Sequence, residues 1–219
     1  MEKRTWFTTR QKQLLGLVGQ NKKFSNFYLT GGTALAGYYL NHRYSEDLDF
    51  FSTEEFTFVD VANFIFSSKK ELGYTTIERL KTNVNGFKLK WNNGEELIID
   101  FVYYSFPQLG KPSYFRGVKI DSIKDIYANK VETILLRKKA RDFIDLYEIA
   151  KRKKWRLKRA LDLHRIKFDI KISEVELVKN LLKVNELEDF PRMKIKLDRQ
   201  KMIRFFENEA RKLGEKILL

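Results

Sequence analysis

Phe27-Tyr28-Leu29 is a short apolar run that leads through Thr30 into Gly31-Gly32-Thr33-Ala34-Leu35, and Asp47-Leu48-Asp49-Phe50-Phe51 follows shortly after. A strand that ends on two glycines, a helix that opens on them and a second strand that begins with Asp-x-Asp leave few ways to fold. Bare glycines at a helix start leave backbone N–H groups and the positive end of the helix dipole open to an anion such as a phosphate. The Thr33 hydroxyl can cap the helix or reach a phosphate oxygen. Residues two apart on a strand face the same way, so the Asp47 and Asp49 carboxylates stand side by side. Their repulsion is costly unless a cation lies between them, and magnesium or manganese takes oxygens from one or two carboxylates plus substrate phosphates. A phosphate cradle beside paired carboxylates supplies the parts that hold a nucleoside triphosphate and its metal.

Asp100 is a third carboxylate, set inside the apolar run Leu97-Ile98-Ile99-Asp100-Phe101-Val102. An aspartate buried there needs a partner, either a shared metal or a lysine. With Asp47 and Asp49 it would complete a metal set for in-line displacement at phosphorus. The two histidines, His42 and His164, lie far apart along the chain, which argues against a histidine nucleophile or a His-rich zinc site.

The remaining pattern divides the chain. Gln11 to Val18 reads as a helix with Leu14, Leu15 and Val18 on one face. Thr33 to Asn41 reads as a helix and Leu48 to Phe51 as a strand. Val59 to Lys70 reads as an amphipathic helix with Val59, Ala62, Ile65 and Phe66 inward. Tyr74 to Arg79, Gly86 to Trp91 and Leu97 to Tyr104 read as strands, the last two joined by a turn at Asn92-Asn93-Gly94. Gly110 and Pro112 mark a break. Beyond it the pattern is helical: Ser122 to Arg137 with a Ser-x-x-Asp cap, Asp142 to Ala150, Leu157 to Ile166, a helix after Ser173, and Arg199 to Leu213. The expectation is an α+β chain, with an α/β module with a mixed sheet over 1–108 and a basic helical module over 109–219.

Charge follows the same division. The net charge is +14, yet residues 1–105 hold 13 Lys and Arg against 12 Asp and Glu, while residues 106–219 hold 30 against 17. A basic half points to a polyanion or an acidic partner. Lys151 to Arg159 has seven basic residues in nine, with Trp155 among them. The run is either a solvated helix end or a phosphate-backbone contact surface, in which Lys151, Arg152, Lys153, Lys154 and Arg156 are the candidate RNA contacts, and Trp155 either packs inward or stacks on a base. The chain has no cysteine, the first residues lack the apolar stretch of a leader, and no run is long enough to span a bilayer. A cytoplasmic setting without membrane partners is expected.

Gly31-Gly32-Thr33-Ala34-Leu35, His42-Arg43-x-Ser45-x-Asp47-Leu48-Asp49, Lys130 and Arg141-Asp142-x-x-Asp145-Leu146 resemble the AbiEii/AbiGii-type nucleotidyltransferase toxins, which belong to the polymerase-β-like superfamily. The resemblance runs from about residue 25 to about residue 150. It implies a nucleotidyltransferase fold, transfer of NMP from an NTP to an RNA acceptor such as tRNA, and restraint by a cognate antitoxin. By position, Asp47 and Asp49 would ligate metal, and Gly31, Gly32 and Thr33 would form the cradle. Arg43 and Ser45 would touch phosphate or orient the loop. Lys130 would offset triphosphate charge, and Asp145, or its neighbour Asp142, would position Lys130 or the acceptor hydroxyl. A transferase acting on small cationic antibiotics would want an acidic acceptor pocket, which the basic half does not offer. A non-catalytic RNA-binding protein on a decayed scaffold is opposed by the intact Asp47, Asp49 and Lys130.

Overall fold

The computed structural model describes residues 5–80 and 84–217; Met1 to Arg4, at the start of the stretch read above for a leader, lie outside these. The chain folds as two compact units, one made of the residues up to Tyr39 with Ser45–Ser122, the other of Leu40–Tyr44 with the chain from Ile123 onward.

The first unit opens with α1 (Thr9–Gln20), capped by a reciprocal pair in which the Thr8 side chain accepts from the Gln11 backbone and the Gln11 side chain accepts from Thr8. Strand β1 (Phe27–Thr30) follows, then a single turn α2 (Gly31–Ala34) that widens into a π-helix over Leu35–Leu40. Strand β2 (Leu48–Ser52), α3 (Phe58–Ser67), α4 (Lys69–Leu72), β3 (Thr76–Arg79), β4 (Asn85–Lys90) and β5 (Glu96–Tyr103) come next, and β6 (Ser113–Phe115) with β7 (Val118–Ile120) closes the unit. The strands form one mixed sheet in the order β3-β4-β5-β2-β1-β7-β6. β2 runs parallel to β5 and β1 parallel to β7, while β1 and β2 are antiparallel.

Strict alternation decides the two faces of the central strands. Leu48 and Phe50 of β2 and Leu97, Ile99 and Phe101 of β5 are buried, so Asp49 and Asp100 must face the other way. The buried face is an aromatic core: Phe50 stacks on Phe101 at 5.4 Å, and Phe27 meets Phe101 edge-on at the same distance. The inward face of α3 is Val61, Ala62, Phe64 and Ile65, whereas Val59 and Phe66 are exposed at 61% and 58%. Ala62 and Ile65 lie inward as expected, while Val61 and Phe64 take the places expected of Val59 and Phe66. Thr57 caps the helix, and a face built on 61, 62, 64 and 65 shows less contrast in a segment apolar on several sides.

The hairpin β6–β7 was not expected. Its strands have three residues each, too short to show alternation, and its turn rests on Arg116 and Gly117, both at positive φ. A Cβ on Gly117 would lie 2.7 Å from the Gly19 carbonyl oxygen, so glycine lets the turn pack on the end of α1. β7 pairs with β1, and the first unit extends to Ser122.

The second unit holds α5 (Ile123–Leu136), α6 (Ala140–Lys153), α7 (Leu157–Phe168), α8 (Glu174–Leu182) and α9 (Arg199–Ile217). α5 and α7 share a fully buried ion pair, Lys167 to Asp125 at 2.8 Å. Phe143 and Tyr147 of α6 meet Phe206 and Phe205 of α9 at 5.2 and 5.4 Å. Among the described residues no helix is long and apolar enough to cross a membrane.

Candidate active site

In the first unit the sheet register brings two of the expected carboxylates together. Asp49 pairs directly with Asp100 across the parallel β2–β5 ladder, and with Thr30 across the β1–β2 ladder. Asp47 precedes β2 and is half-buried, and its charge acts on Asp100. Burial first, and Asp47 second, push the Asp100 carboxyl above the usual carboxylate range. Its Oδ1 is buried without a hydrogen-bond partner among the described residues. The lysine partner considered for Asp100 is not found, since no ion pair joins it to a cation among the described residues.

The glycine pair meets this carboxylate face. Gly31 has φ +69°, and a Cβ there would lie 2.3 Å from Asp49 Oδ2, so only glycine leaves room for the Asp49 carboxylate at the start of α2. Gly32 occupies the next position of the same turn. The residue at the N-cap is Thr30, whose hydroxyl donates to Asp121 Oδ2 at 2.7 Å. The Thr33 hydroxyl, expected to cap or to reach phosphate, instead donates to the Ser45 hydroxyl at 2.8 Å. It is buried inside the turn and braces the segment leading to Asp47. The Gln11 amide donates to the Ser45 and Glu46 carbonyls at 3.0 and 3.1 Å, which holds the same segment from the other end. Gln11 and Asp121 were missed as site residues. The helix read over Gln11 to Val18 marked Gln11 only as a helix start, and Asp121 follows a strand too short to be read.

These residues bear on whether a divalent ion fits. Among the described residues no group of three or more His, Cys, Asp and Glu side chains is gathered tightly enough to enclose a metal. The orphaned Oδ1 and raised pKa of Asp100 nevertheless leave that carboxylate without a cation among the described residues. An open carboxylate set of this kind suits magnesium, which keeps water and substrate phosphates as most of its ligands.

The second unit gathers the other expected residues into a buried charge network. Lys130, 5% exposed on α5, donates to Asp142 Oδ1 and lies 2.7 Å from both that oxygen and Asp145 Oδ2. Arg43 grips Asp145 in a fork, with Nε to Oδ1 at 2.7 Å and Nη2 to Oδ2 at 2.8 Å, and its Nη1 donates to the Tyr44 carbonyl. His42 Nε2 lies 2.7 Å from Asp145 Oδ1 and donates to it as the carboxylate requires. Arg137 closes the network on Asp142 at 2.8 Å. Burial raises the Asp145 pKa, but Arg43 and Lys130 outweigh it and hold the carboxyl well below the usual range. At Asp142, likewise, Lys130 and Arg137 outweigh burial and hold the carboxyl low.

Asp142 and Asp145 both pair with Lys130. Arg43, 3% exposed and engaged on Asp145, is a member of that network.

The basic run lies at the corner between α6 and α7. Lys151 and Arg152 pair with the buried Glu148 at 3.5 and 3.2 Å, while Lys153, Lys154 and Arg156 are exposed. Trp155 is half-buried, 5.7 Å from the Tyr127 ring and capped by Arg159 at 4.2 Å. It packs inward.

Comparison with known proteins places this architecture. Over 94% of the chain the fold matches the crystal structure of JHP933 from Helicobacter pylori, with a TM-score of 0.60, 21% identity and 90% of that chain covered. It also matches, over 94% of both chains, a Helicobacter pylori protein proposed to be a nucleotidyltransferase, with a TM-score of 0.58 and 20% identity. The fold is therefore nucleotidyltransferase-like. In sequence, an uncharacterised Aquifex aeolicus protein, aq_aa25, is 31% identical over 144 residues, spanning 61% of this chain and 62% of that relative's length. Residues 14–213 match the model of the nucleotidyl transferase AbiEii toxin family, of type IV toxin–antitoxin systems, and the chain belongs to that family.

Proposed function

We propose that this chain transfers an NMP group from an NTP to a hydroxyl of an RNA acceptor of the tRNA kind, in the presence of magnesium or manganese, and that it acts in the cytoplasm as a toxin restrained by a cognate antitoxin. The observation that carries the reading is the seating of the Asp49 carboxylate against Gly31, with Asp100 beside it in register. A phosphate drawn to the Gly31-Gly32 turn would meet those carboxylates directly.

In this reading Asp47, Asp49 and Asp100 would hold the divalent ion, which when bound neutralises phosphate charge and lowers the pKa of the attacking hydroxyl. The acceptor oxygen forms a bond to the α-phosphorus as the bond to the bridging oxygen breaks, and pyrophosphate leaves with that electron pair. The hydroxyl proton passes to a carboxylate of the set. Thr33 and Ser45 brace the turn that binds phosphate. Lys130 is assigned to offsetting triphosphate charge, with Asp142 and Asp145 fixing its ammonium. Arg43 acts through Asp145.

The test is incubation of the protein with each labelled NTP, total RNA and magnesium. Label should enter RNA with one NTP preferred, and Asp49→Asn should abolish it while leaving the thermal unfolding profile intact. Undiminished labelling by Asp49→Asn, or labelling independent of RNA, would overturn the proposal.

A further inference from the structure

Between α8 and α9 the chain reads Pro191-Arg192-Met193-Lys194-Ile195-Lys196-Leu197. Its exposure alternates: Arg192, Lys194 and Lys196 are exposed, while Met193, Ile195 and Leu197 are half-buried. Three cations therefore stand clear of an apolar underside, each within about 7 Å of the next along the backbone. The stretch is anchored. Tyr44 N donates to the Arg192 carbonyl at 2.9 Å, Lys194 N donates to the His42 carbonyl at 3.0 Å, and Arg43 bridges Met193. His42 and Arg43 are themselves locked on Asp145.

Tyr44 is 40% exposed, and both Arg192 and Lys194 lie over its ring, at 4.2 and 4.8 Å. Among the described residues no carboxylate pairs with Arg192, Lys194 or Lys196, whereas Lys151, Arg152 and Lys201 have carboxylate partners. Burial also lowers the Lys194 pKa, a desolvation that an arriving anion would offset. Beyond Lys196 a cleft of about 620 Å³ continues the positive surface with Lys151, Arg199 and Lys201, and Asp198 is its one carboxylate. Tyr44 is three residues from Asp47 along the chain, so bond lengths alone keep the two Cα atoms within about 11 Å.

We propose that Arg192, Lys194 and Lys196, with Tyr44, form a binding track for a single-stranded nucleic acid. The three cations contact successive phosphates, and the Arg192 guanidinium, stacked on Tyr44, offers its outer face to a base. An acidic protein would also pair with the cations, but it has no use for an exposed ring under a stacked guanidinium. In naming this strand as the acceptor the inference rests on the proposed RNA transfer; the binding itself does not. It also places the main RNA contact here and not on Lys151 to Arg159.

The test is fluorescence anisotropy with a labelled single-stranded RNA of about 12 nucleotides, without NTP or metal. The triple variant Arg192→Gln, Lys194→Gln, Lys196→Gln is compared with Lys153→Gln, Lys154→Gln, Arg156→Gln, which removes equal charge. The first should bind at least tenfold more weakly, with its slope of log affinity against log salt reduced by about two units. The second should stay within twofold of the parent. Tyr44→Leu should weaken binding severalfold and Tyr44→Phe should not, while binding of a fluorescent NTP should be unchanged in the first triple variant. Equal losses in both triple variants, no loss in the first, or equal competition by a duplex of the same length would overturn the track. Intact RNA binding with no transfer of label would overturn the acceptor reading and leave the track standing.

Discussion

The Asp49 carboxylate stands in the volume that any side chain on Gly31 would occupy. The backbone at Gly31, with φ +69°, adds a cost of about 1–2 kcal/mol for a residue with a Cβ. Gly31→Ala should therefore lower the melting temperature by roughly 2–8 °C for a chain of this length. More telling, it should push Asp49 aside and weaken NTP binding at least tenfold. Differential scanning calorimetry and an NTP titration check the two effects, and parental NTP affinity in the variant would show that the two residues do not form one site.

Asp100 leads to a prediction with a defined sign. Its carboxyl is held above the usual range by burial and by Asp47. A raised carboxyl pKa contributes stability that is fully present below the ordinary value of 3.8 and is lost as pH rises through the native value. At pH 7 without divalent ions Asp100 is therefore a burden on the fold. Asp100→Asn should then melt higher than the parent at pH 7, and the difference should shrink towards pH 4. Added magnesium should raise the parent's melting temperature and leave the variant's nearly unchanged. A variant that melts lower than the parent at pH 7 would sink the reading.

The central strands and the glycine turn between β1 and α2 were legible in the sequence because each rests on local pattern. Apolar runs marked β1, β2 and β5, and the alternation within β2 turned Asp49 away from the aromatic core, whereas Asp47, expected on the strand beside it, precedes β2. Asp100 stood out as the polar residue in an apolar run. The rest depended on distant partners. Arg43 and Asp145 lie 102 residues apart, so nothing near Arg43 announces that its guanidinium is bound and buried. The Thr33 hydroxyl meets Ser45 only because the π-helix over Leu35–Leu40 returns the chain there. The cations of 192, 194 and 196 were hidden because lysine and arginine are common throughout that half, and only their exposure and the Tyr44 ring shared by Arg192 and Lys194 single them out.

Lys130 is not a solvated helix lysine, and its removal should be felt in the fold. Lys130→Ala would leave Asp142 and Asp145 buried with fewer cations, although Arg137 and Arg43 still pair with them. Breaking such a pair costs about 3–5 kcal/mol at most. Lys130→Ala should melt lower than the parent by roughly 6–20 °C and lose transfer activity at least a hundredfold at a temperature where it remains folded. Lys130→Arg should recover much of the stability, and little of the activity, because a fork cannot replace a point charge between two carboxylates. Full activity in the arginine variant would show that only the charge matters.

Acid stability should report on Asp145 and Asp142. Arg43 and Lys130 hold Asp145 well below the usual carboxylate range against the effect of burial, and Lys130 and Arg137 do the same for Asp142. A depressed native pKa contributes stability that is present above the unfolded value, near 3.8, and is lost as pH falls through the native value. The parent should keep its stability down to about pH 4 and lose it steeply below, as both carboxylates are forced to take protons. Asp145→Asn should be less stable at pH 7, by up to about 3–5 kcal/mol, because Arg43 and Lys130 lose their shared anion. Between pH 4 and the parent's acid midpoint it should show a shallower dependence, since one of the two titrating groups is gone. Urea unfolding at a series of pH values measures both. Parallel curves for parent and variant over that interval would mean that the native Asp145 carboxyl is not held low by its cations.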